Sequence, residues 1–302
     1  MIKVLKKIAF LYVIKQLIVT FIESLQYAKK GGLRKAYHWF FVRNCVSIFG
    51  NGARYSSKKI SNLTLQIRDD GFMELNKLSE KTVKNLVDYF LASQQQKYDD
   101  LKSFFDKHRV ENYVRSEEVD VCLNNELCNS ILKELNILPV VSEFLGLSEK
   151  EISIFAKIDA LFKINGERNL RHGYDDALEF HRDIDSYRFV KAFSYLVDIE
   201  KGSGEHEVCI RSHKSLPLKL RLIKRYKYST LKENLPHFEL KSIFGKAGYS
   251  WIEDTTSFHR GTIPKMGDRL MLSLSFNDKK TADFMYDAGY YPLSKFKSNI
   301  SI

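Results

Sequence analysis

The sequence has 302 residues, of which 44% are hydrophobic and 28% charged, an ordinary balance that excludes a disordered or low-complexity chain. The net charge of +11 is unevenly distributed: twelve of the 48 Lys/Arg and only one of the 37 Asp/Glu lie in residues 1–60. The rest of the chain is therefore neutral, and we expect no nucleic-acid partner for it.

Residues 1–60 form a basic, partly apolar segment that we predict to be a helical extension. Its apolar runs, 8–14 and 17–22, are separated by Lys15 and Gln16, and each is too short to span a membrane. The basic start is typical of a signal peptide, but the apolar region is interrupted and no clear cleavage site follows. Two interpretations stay open: a helix packed against the body, and an interfacial helix that contacts anionic lipid.

The four cysteines, Cys45, Cys122, Cys128 and Cys209, lack the CxxC spacing of a zinc or redox pair. Thiols without such a pattern are typical of a reducing compartment. We therefore expect a cytoplasmic protein, with peripheral membrane contact as the open alternative.

In chain order, helices come first and strands second. Apolar residues at helical spacing, with Ser79 as a start, predict a helix over 77–109, and 126–145 reads as further helix. Residues 153–164 have a mixed pattern. Aromatic and β-branched runs then predict strands within 186–199, 207–212, 248–258 and 269–276. This order indicates a mainly β protein with helices (α+β) and argues against parallel βαβ units.

The clearest strand is RLMLSLSF, residues 269–276. Its leucines and Phe276 share one face, which we expect to pack on helices. Arg269 and Ser273 share the opposite face, which we expect to line a lumen.

A candidate metal site lies in EFHRDIDSYRF, residues 179–189. His181 and Asp183 are two residues apart, so on a strand their side chains project from the same face. An imidazole and a carboxylate would then converge on one point. Asp185 shares that face two residues further on and is the alternative carboxylate.

The third ligand is expected to be a histidine of a neighbouring strand, and the candidates are His206, His213, His237 and His259. His259 is favoured by its setting, because it ends one predicted strand and Arg269 begins the next one. In a hairpin, Arg269 would lie beside His259 and point into the same cavity.

This combination of residues suits a particular chemistry. Two imidazoles and one carboxylate on one face of iron leave three positions open, the ligand set of non-haem Fe(II) oxygenases. A co-substrate such as 2-oxoglutarate would occupy two of them and O2 the last. Its far carboxylate then needs a fixed cation, and arginine offers a planar fork that stays charged.

Together these motifs resemble the phytanoyl-CoA dioxygenase family of Fe(II)/2-oxoglutarate oxygenases. The resemblance extends from residue 69 to about residue 277 and is carried by DDGFMELNKLSEKTVKNL (69–86), HRD (181–183), FSYLVDIEKGSGEHEVCIRSHKS (193–215) and EDTTSFHRGTIPKMGDR (253–269). It implies a double-stranded β-helix (jelly-roll) core with packed helices, forming an oxygenase domain over 61–302, and it does not include 1–60.

The resemblance also implies roles for the motif residues. His181, Asp183 and His259 would bind Fe(II), with Asp183 selected over Asp185, and Arg269 would orient 2-oxoglutarate. The expected reaction is hydroxylation of a small organic substrate, lipid- and glycan-linked molecules included, with O2 as oxidant.

Further side chains are weaker candidates for the cavity. Ser273 and Thr262 carry hydroxyls that could contact the far carboxylate of 2-oxoglutarate. Tyr195, Lys157 and Lys163 could reach the cavity from core strands, although a packed or solvated side chain is the simpler interpretation of each.

The sequence departs from the family pattern at the turn before Ser-His-Lys, where the family's glycine is Arg211. This substitution could reshape the turn or add a substrate contact. Arg182, in the middle of HRD, should point away from the ligands and is interpreted either as structural or as a support behind the ligands. His213, near the site entrance, is interpreted as structural. Trp251 is expected in the core.

Three alternatives stay open. The first is a catalytically inactive binding protein of the same fold, against which the intact ligand set argues. The second is a metalloenzyme that does not use 2-oxoglutarate, against which Arg269 argues. The third is a membrane-surface protein that acts on lipid or lipid-linked glycan, which is compatible with the oxygenase hypothesis.

Overall fold

A computed structural model of the chain describes residues 61–94, 98–110, 119–120, 125–162, 179–214, 225–226, 228–235 and 238–280, together with Ile18, Leu216 and Leu220. The predicted N-terminal extension, apart from Ile18, and Lys163 lie outside these residues, and so do Cys45, Cys122 and His237. Within the described part, no helical segment combines the length and the apolar character that crossing a membrane requires.

The helices come first in the described chain, as predicted. They are α1 (Asn62–Asp70), α2 (Glu80–Ala92), α3 (Leu101–Val110), α4 (Asn125–Leu135), α5 (Leu138–Leu145) and the later α6 (Tyr228–Asn234). Helix α1 begins after Ser61, whose hydroxyl accepts a hydrogen bond from the Thr64 amide, and ends at Gly71 with a left-handed φ of 76°. Helix α2 begins after Ser79, the predicted start, which accepts from the Thr82 amide.

Both predicted helical regions contain helices, but neither is one continuous helix. The region 77–109 contains two helices, and α3 has its own start, where the Ser103 amide donates to Asp100 Oδ1 at 2.8 Å. The region 126–145 also contains two. Asn136 interrupts it with a φ of 47°, and Pro139 lies in the first turn of α5, where its missing N–H costs nothing.

Eleven strands lie in the described residues: β1 (Phe72–Glu74), β2 (Val119–Asp120), β3 (Ile152–Leu161), β4 (Phe180–His181), β5 (Phe189–Tyr195), β6 (His206–Ile210), β7 (Arg225–Tyr226), β8 (Glu239–Ile243), β9 (Ser250–Glu253), β10 (His259–Gly261) and β11 (Arg269–Asp278). They form two antiparallel sheets. The six-stranded sheet has the order β1-β9-β5-β11-β3-β2, and the five-stranded sheet has the order β7-β4-β10-β6-β8. The α+β expectation is confirmed, and residues 153–161 of the mixed region lie in the ten-residue strand β3.

The outer face of the six-stranded sheet packs on the helices. The leucines of β11 and Phe276 share one buried cluster with Phe90 of α2, Ile131 of α4 and Phe144 of α5. This confirms the predicted apolar face of β11. The burial of these side chains is the largest contribution to fixing the sheet against the helices.

The inner faces of the two sheets enclose a second apolar cluster. Phe193, Trp251 and Met271 contribute from the six-stranded sheet, and Val208 and Ile243 contribute from the five-stranded sheet. Trp251 is fully buried there, as expected for a core residue. The two sheets therefore face each other, and polar residues on the same inner faces form the site described next.

Candidate metal centre

Three predicted ligands converge between the sheets. His181 at the end of β4 and His259 at the start of β10 are directly opposite each other in antiparallel register, with ring centroids 4.3 Å apart. Asp183 follows β4, where its amide donates to the Thr255 carbonyl at 2.9 Å. Its Oδ1 lies 3.7 Å from His181 Nε2 and its Oδ2 lies 3.4 Å from His259 Nε2. One atom of each residue lies within 4.8 Å of the others, so the group could hold a metal ion.

Backbone carbonyls orient both imidazole rings. His181 Nδ1 lies 2.8 Å from the Glu179 carbonyl, and His259 Nδ1 lies 3.0 Å from the Ser257 carbonyl. A carbonyl can only accept, so each Nδ1 carries the hydrogen and each Nε2 faces the centre as the potential ligand atom. Histidines that bind metals are commonly fixed in this way, and two imidazoles with one carboxylate fit Fe(II).

The electrostatics of the three residues favour a bound cation. Burial alone would lower the pKa of His259, but the charges of Asp183 and Glu253 outweigh it and raise the pKa to about 9. Burial alone would raise the pKa of Asp183, but the charges of Lys191 and the two histidines hold that pKa well below its ordinary value. Asp183 is therefore ionised, and a metal ion would replace the proton of His259.

Glu253 and His206 form a buried layer behind His259. Glu253 of β9 is fully buried, and its Oε2 lies 2.9 Å from His206 Nε2 while its Oε1 lies 3.6 Å from His259 Nδ1. The ring of His206 stacks on that of His259 at 5.5 Å and 18°. Burial lowers the pKa of His206, although Glu253 opposes the shift. Sequence reasoning named His206 as an alternative ligand and missed Glu253, whose strand is buried at every position and gives no alternation signal.

Lys191 is the second residue that sequence reasoning missed. It lies on β5, two residues before Phe193 and on the same inner face, and only 14% of its side chain is exposed. Its Nζ lies 2.7 Å from Asp183 Oδ2 and 2.7 Å from Asp185 Oδ2. The alternative carboxylate is thus bound to a lysine, and it is not in the group that could hold a metal. Alternation along 189–195 was the signal that could have pointed to Lys191.

Arg269 faces the same interior from the opposite sheet. The predicted hairpin was wrong, because β10 and β11 belong to different sheets. Arg269 is 3% exposed; its Nη1 donates to the Gly204 carbonyl at 2.8 Å, and its Nη2 lies 3.7 Å from Asp159 Oδ2. A Cβ at Gly261 would lie 2.7 Å from Nη1, so the guanidinium lies directly against that backbone. Gly261 follows His259 by two residues on one face of β10, a separation of about 7 Å along the strand.

The hydroxyls proposed for co-substrate binding have other neighbours. Thr262 Oγ1 donates to Glu205 Oε2 at 2.8 Å. The Tyr195 hydroxyl donates to the Ile243 carbonyl and accepts from the His206 amide, both at 2.9 Å, and burial raises the pKa of Tyr195.

Ser273 lies two strand positions beyond Met271 on the inner face, buried and opposite Lys157 of β3. For Ser273, as for the other two hydroxyls, contact with 2-oxoglutarate stays a prediction.

The turn after β6 keeps a left-handed conformation at Arg211, with a φ of 67°. Its amide donates to the Asp70 carbonyl and its Nε to Asp70 Oδ1, each at 2.9 Å. His213 Nε2 lies 3.0 Å from the Arg68 carbonyl and its Nδ1 lies 3.1 Å from Ser257 Oγ. Both residues therefore tie this turn to the end of α1.

Arg182 is buried, and its Nε donates to the Thr256 carbonyl at 2.6 Å. This contact agrees with the structural interpretation of the residue, and it joins the segment after β4 to the turn before β10.

No protein-family model matches this sequence, and no curated protein matches it significantly. Among solved structures, the chain is similar to EctD from S. alaskensis with bound Fe, with a TM-score of 0.48 and 15% identity over 76% of this chain and 81% of that chain. It is also similar to EvdO2 from Micromonospora carbonacea var. aurantiaca complexed with 2-oxoglutarate, with a TM-score of 0.46 and 14% identity over 74% of this chain and 93% of that chain. A third similar structure is the epimerase SnoN in complex with Fe3+, alpha ketoglutarate and nogalamycin RO. Its TM-score is 0.46, with 15% identity over 72% of this chain and 82% of that chain. These values are too low to transfer a function or a site residue to this chain.

Proposed function

We propose that this protein is an Fe(II)- and 2-oxoglutarate-dependent oxygenase similar to the phytanoyl-CoA dioxygenase family. His181, Asp183 and His259 would bind the iron, and Arg269 would bind the far carboxylate of 2-oxoglutarate. The observation that carries the proposal is the convergence of two Nε2 atoms and one carboxylate within 4.8 Å, with both Nδ1 atoms held by carbonyls.

The strand order supports a double-stranded β-helix. The six-stranded sheet contains the antiparallel set β9-β5-β11-β3, with β1 and β2 at its edges. The five-stranded sheet contains the antiparallel set β4-β10-β6-β8, with β7 added at one edge. Successive strands from β3 to β6 and from β8 to β11 alternate between the sheets. Eight strands in two facing sheets are the architecture of a jelly roll.

The residues of the chain would each have a distinct task. The iron, when bound, supplies the reactive centre at which O2 and 2-oxoglutarate generate the oxidant for a substrate C–H bond. His181, Asp183 and His259 would bind the metal through three positions and leave its other positions for small ligands. The buried inner faces of the sheets limit the access of water to this point.

Arg269 suits the co-substrate because of its position and its shape. Its guanidinium lies against Gly261, about 7 Å along β10 from His259, and 2-oxoglutarate carries its two carboxylates at opposite ends of a short chain. A planar fork in a buried setting binds such a carboxylate through two charge-assisted hydrogen bonds. Asp159 Oδ2, 3.7 Å from Arg269 Nη2, partly neutralises the guanidinium.

An anaerobic titration tests the proposal without knowledge of the substrate. Fe(II) and 2-oxoglutarate added together should produce a weak visible charge-transfer band in the parent protein. Asp183→Ala and His259→Ala should lose the band and most of the Fe(II) affinity, because each removes one of the three ligands.

His213→Ala provides the matched histidine control, since both of its ring nitrogens have partners away from the centre. It should keep the band. If the parent gives no band, or if His259→Ala binds Fe(II) like the parent, the proposed function is wrong. A band retained in Asp183→Ala would instead identify Asp185 as the carboxylate ligand.

A further inference from the structure

Lys191 connects the two carboxylates that follow β4. Its Nζ lies 2.7 Å from Oδ2 of Asp183 and 2.7 Å from Oδ2 of Asp185, while the lysine itself comes from β5 in the opposite sheet. We propose that Lys191 is a positioning residue that makes Asp183 a metal ligand through one oxygen and keeps Asp185 out of the metal centre. This inference rests on the metal site of the proposed function.

The two oxygens of Asp183 have different surroundings. Oδ1 lies 3.7 Å from His181 Nε2. Oδ2 lies 3.4 Å from His259 and 2.7 Å from the Lys191 ammonium. A carboxylate oxygen that accepts a short, charge-assisted hydrogen bond is a weaker donor to a metal. Lys191 therefore favours binding through Oδ1 and leaves one more position on the metal for a small ligand.

Asp185 would otherwise compete for the same centre. It is 9% exposed, and a buried carboxylate needs a partner of opposite charge. Its Oδ2 and that of Asp183 reach the same ammonium nitrogen, so the two carboxylates are close neighbours. Without Lys191, Asp185 could relieve its burial by binding the metal, or Asp183 could bind through both oxygens.

Either change would occupy a position that 2-oxoglutarate needs. The loss of Lys191 should therefore affect two affinities in opposite directions. Metal affinity should stay the same or rise, because a neighbouring positive charge is lost and an additional oxygen can bind the metal. The co-substrate, which needs two adjacent positions, should bind more weakly. A structural role alone would lower both affinities together.

Co(II) is a suitable probe because its visible absorption reports the number and arrangement of its ligands. In Lys191→Met we expect a changed Co(II) spectrum, unchanged or tighter Co(II) binding, and 2-oxoglutarate affinity lowered ~10-fold or more. Lys191→Arg should restore the parent spectrum and co-substrate affinity, because a guanidinium can also bridge two carboxylates. Lys191→Gln gives a second neutral side chain if Lys191→Met does not fold.

Two further variants act as controls. Lys246→Met removes an exposed lysine that is bonded to Asp198 at 2.8 Å, and it should change neither affinity. In Asp185→Asn, Lys191 still contacts Asp183, so the Co(II) spectrum should stay like that of the parent.

The failures of the two proposals can be told apart. A parent that binds no Co(II), or that binds it equally after His259→Ala, would contradict the proposed function. A parent that binds Co(II) and 2-oxoglutarate normally, with the same spectrum and affinities in Lys191→Met, would contradict the role of Lys191 alone. Parallel loss of both affinities in the folded Lys191→Met and Lys191→Gln variants would also contradict it, in favour of a structural role.

Discussion

The proposal that 2-oxoglutarate is the co-substrate depends mainly on Arg269. Replacement by lysine keeps a positive charge but removes the planar fork, so we expect 2-oxoglutarate affinity to fall by about 30- to 1000-fold, or ~2–4 kcal/mol. Fe(II) or Co(II) affinity should stay unchanged, because Arg269 is not among the residues that could hold the metal. Calorimetric titration of each ligand measures both. Unchanged 2-oxoglutarate affinity would remove the main reason to prefer this co-substrate.

Gly261, on the opposite sheet, is predicted to affect 2-oxoglutarate binding because it lies against the guanidinium of Arg269. A methyl group in Gly261→Ala would lie 2.7 Å from Arg269 Nη1, so the guanidinium must shift. Overpacking of this kind costs about 1–3 kcal/mol. We expect lower thermal stability and weaker 2-oxoglutarate binding, with metal affinity retained.

A double-mutant cycle isolates this contact. With Arg269→Ala in the background, the methyl group has room, and Gly261→Ala should then cost little stability. Equal costs in both backgrounds would show that the destabilisation has another origin.

At the residue scale, spacing paired His181 with Asp183, although Asp183 follows β4 and does not lie on it, and the resemblance to a known family selected His259 and Arg269. Lys191 and Glu253 could not be found in this way. Each approaches the centre from the six-stranded sheet, whereas His181 and His259 lie on the five-stranded sheet. The sequence does not encode locally which strands face each other across the interior.

At the scale of the element, the turn after β6 places a residue with a side chain in a backbone conformation that favours glycine. Arg211 holds a φ of 67°, a region that costs a residue with a Cβ about 1–2 kcal/mol relative to glycine. Arg211→Gly relieves this cost and Arg211→Ala keeps it, while both variants lose the side-chain contact with Asp70. We therefore expect Arg211→Gly to be more stable than Arg211→Ala by about 1–2 kcal/mol in denaturant unfolding.

The comparison of the two variants cancels the loss of the exposed ion pair, which both share. Equal stability of the two would mean that the turn relaxes when the side chain is removed. Metal affinity should be unaffected in both.

Elements with a regular pattern were predictable and irregular ones were not. Strand β11 alternates strictly and was identified with the correct faces. Strand β3 was not recognised, because its inner face mixes apolar Phe155 and Leu161 with charged Lys157 and Asp159, so apolar residues do not alternate strictly with polar ones. The helix breaks at Asn136 and Asp100 depend on single residues that also occur within helices.

For the whole molecule, the uneven charge makes a prediction about membranes. If residues 1–60 are an interfacial anchor, the protein should bind vesicles containing anionic lipid and dissociate as salt is raised, since each basic residue near such a surface contributes about 1 kcal/mol. Deletion of residues 1–30 should abolish this binding and leave metal and 2-oxoglutarate affinity intact. Co-sedimentation with vesicles at low and high salt measures it.

The competing interpretation gives a different result. If the segment packs on the body, its deletion should expose apolar surface, and the protein should aggregate or lose thermal stability. Absence of vesicle binding at low salt would exclude the anchor, and with it the case for a lipid-linked substrate.

The pairing of His181 with His259 has a consequence for the order in which the protein forms. The two residues are directly opposite each other on neighbouring strands although roughly 80 residues separate them, a long loop to close in folding. At ribosomal speeds, roughly 4–16 s separate the synthesis of the two histidines. A nascent chain that ends before β10 holds His181 and Asp183 of the proposed metal site but lacks His259. The rate of metal uptake by a refolding chain would therefore report the rate at which β10 pairs with β4, and it would not report any earlier folding step.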